Sequence, residues 1–252
     1  MSTTPMPAAG WFPAPDGSSA MWWWDGARWI QPQQETSPNP AAANAISKLA
    51  QATQILLIAY GVVTLATIAV ESFGISAANR FLEGADETVD LLEAYDQSTL
   101  VVSILTTVTA IATAVLWVIW QYRVAKQVAG QTRRSAGWHV GSWFVPLISL
   151  VYPYQNISDL WRAIGRTRPS WQVLWWLLWL ASNLLINLST RIYVAAVDLE
   201  QLRAAMWISN AGAILLLAAV PFAILIIRGI TRGVLQPSST PMSEQPSSES
   251  QL

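Results

Sequence analysis

Apolar residues collect into four runs of about 20 residues each, at 54–73, 98–120, 172–190 and 206–227. An α-helix needs about 20 residues to cross roughly 30 Å of hydrocarbon, so each run is a predicted transmembrane span. A fifth stretch, residues 137–157, is equally long but contains Pro146 and Pro153 and turns polar beyond Tyr154. Each proline removes a backbone donor and clashes with the preceding turn. A lipid-exposed span has nothing to repair that loss. Residues 137–166 therefore read as a re-entrant or interfacial segment on the cytoplasmic face. It ends in a short amphipathic helix over 156–166. Ile157, Leu160, Trp161 and Ile164 share one face of this helix, and Asp159, Arg162 and Arg166 point elsewhere.

Ahead of the first span the pattern changes. Residues 1–9 are a small-residue tail, and 10–32 are dense in Trp. Asp25-Gly26 between two aromatic runs predicts a two-residue hairpin, and Asp16-Gly17 predicts another turn. Three short strands would form a β mini-domain whose packed Trp rings supply most of its core. Residues 33–47 read as linker, 48–235 as the membrane domain, and the Pro- and Ser-rich residues 236–252 as a disordered tail. The predicted fold class is an all-α integral membrane helix bundle: four transmembrane helices plus a cytoplasmic re-entrant or interfacial segment, with the β module at its N-terminal side.

Composition agrees. Of 252 residues, 53% are hydrophobic and 12% charged, against about 25% charged in an ordinary soluble domain. The first long apolar run lies behind the Trp- and Pro-rich leader, so it is expected to stay as an anchor. Charge then orients the chain, because cytoplasmic loops are enriched in Lys and Arg. With four spans and the N-terminus inside, 11 of the 14 cations fall inside and only Arg80, Arg191 and Arg203 outside. If 137–157 crossed, the division would be 8 against 6. The expected location is the plasma membrane, with both termini cytoplasmic.

Candidate chemistry is sparse. The chain has no cysteine, which excludes thiolate sites and disulfides. His139 is the single histidine and lacks a neighbouring nucleophile or metal partner. With Glu71 counted in the loop that follows the first span, no charge falls inside the spans, which argues against an ion-driven pump. Thr106, Thr109, Asn183, Asn187 and Asn210 are candidate polar residues of the bundle interior, read as interhelical hydrogen-bonding groups. The acids of residues 71–97 alternate with Phe81, Ala85, Val89 and Leu92 at helical spacing, the pattern of a solvated helix face rather than a divalent-cation site. Nine of the 15 Trp fall at the predicted cytoplasmic interface and read as a headgroup belt. No cofactor, metal, catalytic residue or nucleic-acid partner is predicted.

Two resemblances add to this reading. Gly10, Trp11, Phe12 and Pro15, followed by Trp23, Trp24, Asp25, Gly26 and Trp29, resemble a short bacterial N-terminal domain of unknown function that precedes membrane spans. Ala14 stands where that pattern commonly has Asp. Trp29 with Pro32 is also loosely similar to the end of a WW domain. Residues 50–235 resemble a bacterial multi-pass membrane domain of unknown function, through Trp143, Pro146, Pro153, Tyr154, Leu160, Trp161 and Arg162. Ser149 stands where Asn is expected. Neither resemblance implies an activity. The expected function is a non-enzymatic membrane anchor that presents the Trp-rich module, with Trp11, Trp23, Trp24 and Trp29 as partner-binding candidates. Its partners would be membrane lipids and a protein partner, or another copy bound through the module. The alternative is a channel or transporter for a small neutral or lipidic molecule.

Overall fold

The computed structural model describes residues 8–30, 40–85 and 88–236. The WW-like Pro32, residues 33–39 of the linker, Asp86, Glu87 and the C-terminal tail from 237 lie outside the described residues. The chain divides into two units, 1–39 and 40–252.

In the first unit, β1 (Gly10–Pro13), β2 (Met21–Trp24) and β3 (Trp29–Ile30) form an antiparallel sheet in the order β1-β2-β3. The second hairpin turns one residue later than the sequence suggested. The Asp25 N–H donates to the Arg28 carbonyl, and the Asp25 carboxylate accepts from the Ala27 and Arg28 N–H groups at 2.8 Å each. The side chain thus replaces the backbone carbonyl as turn acceptor, and Gly26 supplies the positive φ of 96°. These N–H donors hold the Asp25 carboxyl below its usual range.

The second unit holds α1 (Pro40–Leu82), α2 (Thr88–Gln127), α3 (Ala136–Gly141), α4 (Tyr152–Ala163), α5 (Trp171–Ala195) and α6 (Leu199–Leu235), with a 3-10 turn at Ile148–Leu150. Helices α1, α2, α5 and α6 are long and apolar enough to cross a membrane. No helix of that length lies between α2 and α5, so the 137–157 stretch forms two short helices around a turn. Pro153 does not break α4. It occupies the first turn, where its missing N–H was never needed. At the tip, Leu147 takes a left-handed φ of 64°, a conformation costing a non-glycine residue about 1–2 kcal/mol.

Two boundaries differ from expectation. The Ala-rich stretch after Pro40 joins α1 rather than the linker, as alanine's helix propensity favours. The acidic stretch is not one helix. Helix α1 stops at Leu82, Gly84 takes a φ of 82°, and α2 starts afresh at Thr88. Nor is Glu71 on a solvated face. It is half-buried in α1 and accepts from the Tyr95 hydroxyl at 3.2 Å and the Ser209 hydroxyl at 3.3 Å.

The largest core cluster gathers at one end of the bundle, around α4. Ile157, Leu160 and Trp161 are buried there with Trp120, Val124, Ile226 and Ile230. Helix α4 is therefore a buried plug joining the ends of α1, α2, α5 and α6, its apolar face covered by protein. Two glycines admit it: a Cβ on Gly229 would collide with the Trp161 ring, and one on Gly233 with Ile164. Small residues allow such close approach between helices.

Gly229→Ala should thus lower stability by about 1–3 kcal/mol, the usual cost of overpacking. Gly61→Ala should be neutral or better, since its Cβ would meet nothing nearer than Leu217 at 3.7 Å. Thermal unfolding in detergent compares the two.

Candidate functional site

A buried polar network ties α4 to the loop before it. Asp159 is 2% exposed. Its carboxylate accepts from Arg133 Nε at 2.9 and 3.1 Å and from Arg162 Nη2, and Arg134 Nη1 lies 4.0 Å away. Arg134 also donates to Asn156 Oδ1 at 3.2 Å and Gln155 Oε1 at 2.7 Å, and its guanidinium lies 3.8 Å from the Tyr152 ring centroid. The buried Asn156 amide in turn donates to the Trp138 carbonyl and the Ser142 hydroxyl. Gln172 on α5 donates to Ser158 Oγ at 2.9 Å. His139 is fully buried beside this network, and neither ring nitrogen has a partner among the described residues. Burial pushes its pKa down to about 4; the Asp159 charge opposes the shift and Arg134 adds to it.

Next to the network lies an aromatic cluster rather than an exposed belt. Of the nine Trp, five are buried: Trp117, Trp120, Trp161, Trp175 and Trp176. Trp138, by contrast, is 46% exposed. Trp143 sits edge-on to Trp117, Trp176 and Trp179, and donates from Nε1 to Gln121 Oε1 at 3.0 Å. Trp117 stacks on Trp175 with centroids 5.8 Å apart. The indole N–H of Trp176 donates to the Leu150 carbonyl at 3.1 Å, and that of Trp120 to Thr231 Oγ1 at 3.0 Å. Trp120, Trp143 and Trp176 thus turn their polar ends to protein partners, whereas the Trp117 N–H is buried without one among the described residues.

Beyond the rings, α2 and α5 part. Helix α1 packs on α2 and α6, and α5 packs on α6, but no comparable packing joins α2 to α5. The gap is a cleft of about 590 Å³. Ala114 and Trp117 belong to one wall, Trp179 and Asn183 to the other, and Trp143 and Phe144 close one end. Three of its donors are spent locally: Thr113 Oγ1 donates to Thr109 O, Ser182 Oγ and Asn183 Nδ2 both to Trp179 O; the Trp117 N–H has no partner among the described residues. What the cleft offers a ligand is mainly aliphatic and aromatic surface.

The sequence-derived candidates divide accordingly. Among the interfacial residues, Trp143 and Tyr154 both pack against Trp176 in the aromatic cluster, Pro153 and Trp161 are buried in or beneath α4, Arg162 holds Asp159, and Pro146 is exposed at the tip. Of the polar bundle residues, Thr106 meets Thr67 across helices at 3.2 Å, and Asn210 donates to Ser72 Oγ at 3.0 Å. Thr109 and Asn183 donate within their own helices. Asn187 is exposed and donates to Asn183 O, so it does not face the bundle interior; its amide bonds one turn back instead of across. The four candidate Trp of the β module do not share a face either. Trp11 pairs with Trp23, which pairs with Ile30, on one face; Trp24 and Trp29 pair on the other. Asp159, Arg133, Arg134 and Asn156 were not among the candidates. One signal marked them: Asp159 is the only acid between Asp96 and Asp198, set among cations.

The profile of a family described as a domain of unknown function, DUF4328, matches residues 84–232. No curated protein and no solved structure matches the chain.

The buried neutral imidazole carries a pH signature. Its folded pKa lies below the unfolded value, so the unfolded chain binds the proton first. The His139 contribution is intact above about pH 6.5 and is lost as pH falls toward 4. Replacing His139 with Gln should flatten the fall in detergent melting temperature across that window. A variant with the parent's pH slope would contradict this.

Proposed function

We propose that the chain, which belongs to the DUF4328 family, is a non-enzymatic multi-pass protein of the plasma membrane whose bundle anchors the Trp-rich module on the cytoplasmic side. The observation that carries this is the gathering of cations at one end of four apolar helices. Arg123 and Lys126 lie in the last turns of α2, and Arg133, Arg134, Arg162, Arg166 and Arg168 between α2 and α5, and positive segments beside the spans stay on the cytoplasmic side. An even number of crossings then puts the start of α1 and the end of α6 on that same side. Asp159 and its three arginines are engaged with one another, which fits a structural role better than catalysis. The exposed apolar tip, with Phe144 and Leu147 at 74% and 80% exposure, suits a loop dipping into the bilayer boundary. The cleft between α2 and α5 favours a second reading, in which the bundle takes up a lipidic molecule. A small polar solute fits it poorly, because its walls are mainly aliphatic and aromatic.

Reporter fusions after Asp90 and Leu199 should read outside, and those after Arg134, Arg168 and Leu235 inside. An outside signal after Arg168 would sink the topology.

The anchoring role is tested by co-purification of differently tagged copies and of partner proteins in mild detergent. A chain lacking residues 1–35 should lose them. Trp11→Ala with Trp23→Ala, and Trp24→Ala with Trp29→Ala, separate the two faces of the sheet. If the truncated chain recovers the same proteins, the module is not the interaction element.

A further inference from the structure

We propose that the cleft between α2 and α5 holds one acyl chain of an anionic phospholipid, taken laterally from the leaflet on the α4 side, with its headgroup against the cationic loops. The inference rests on the second reading above and names its ligand. The cleft volume of about 590 Å³ lies within the range of small-molecule sites, roughly 300–1,000 Å³. An open apolar cleft facing hydrocarbon gains dispersion contacts when a chain fills it. The wall favours an alkyl chain over a polar solute, since it is mainly aliphatic and aromatic and Thr113, Ser182 and Asn183 donate to their own helices. The wall on α2 runs from Ala110 to Val118, a rise of about 12 Å. That places the chain in the half of the bundle nearer α4.

Charge selects the headgroup. Residues 121–171 carry seven cations and one acid. Asp159 is occupied by Arg133, Arg134 and Arg162. Among the described residues, no carboxylate forms an ion pair with Arg123, Lys126, Arg166 or Arg168. Basic residues beside helices on the cytoplasmic side attract anionic headgroups at about 1 kcal/mol each, or about fivefold in affinity per cation engaged.

The test uses full-length protein in phosphatidylcholine vesicles doped with phosphatidylglycerol carrying brominated acyl chains, with tryptophan fluorescence as the readout. Trp117, Trp143, Trp175 and Trp179 line the cleft, so a bound brominated chain quenches them. Quenching should saturate at low mole fraction and favour brominated phosphatidylglycerol over brominated phosphatidylcholine by about fivefold or more. Ala114→Phe, which fills the cleft, should remove the saturable component while the melting temperature holds. Val115→Phe is the second filler if the first misfolds. Arg166→Gln with Arg168→Gln should lower the headgroup preference and leave chain quenching in place. Parent and filled variants that quench alike would overturn the site. Saturable quenching by a brominated polyprenol alone would overturn the phospholipid assignment and leave the second reading standing. No saturable quenching by either chain, or a cleft closed by a second copy in cross-linking, would remove both.

Discussion

A carboxylate that has lost its water is the constraint around which the bundle closes. Burying a lone ion costs several kcal/mol even after relaxation, so Asp159 can be carried inward only together with its arginines. Arg133 and Arg134 belong to the loop after α2, and Arg162 lies one turn along α4. Helix α4 and that loop are therefore folded as one piece. Once α4 is seated, its apolar residues meet α1, α2, α5 and α6. The asymmetry of exposure matters here: Arg133 and Arg162 are about half exposed and the acid is 2% exposed. Loss of the acid leaves cations that can turn to water, whereas loss of the arginines strands a buried charge.

The four long helices were legible because hydrocarbon thickness sets a length that hydropathy alone can meet. The prolines signalled that 137–157 is not one continuous helix, but they did not show where α4 goes. A helix with one apolar face looks the same in sequence whether that face meets lipid or protein. The deciding partners, Gly229 and Gly233, are some 65–80 residues away and signal only by lacking a side chain. The belt reading of the tryptophans missed their burial against one another for a related reason. Position near a headgroup and burial against another indole both favour Trp at helix ends, and only the packing of Trp143 between two walls separates them. In the β module, alternation along a strand implied two faces, yet the partner-binding set mixed them. The register Trp11↔Trp23↔Ile30 sorts it.

The two ends of the bundle use different chemistry. At the α4 end, charged groups and indoles are packed with α4 as a plug. At the other end, Glu71, Tyr95 and Ser209 join α1, α2 and α6 through hydrogen bonds, while Arg203 donates to Asn79 at 2.9 Å. The bundle is thus cross-tied at both ends, and the gap between α2 and α5 lies between the ties.

Most helix pairs interlock through ridges set in grooves, which resist sliding. Near α4, α2 and α5 instead meet through flat rings, Trp117 on Trp175, with Trp143 edge-on to both sides. Flat faces bear load in compression and offer little to oppose shear. At this end the loop that carries Trp143 sets the spacing between the two helices.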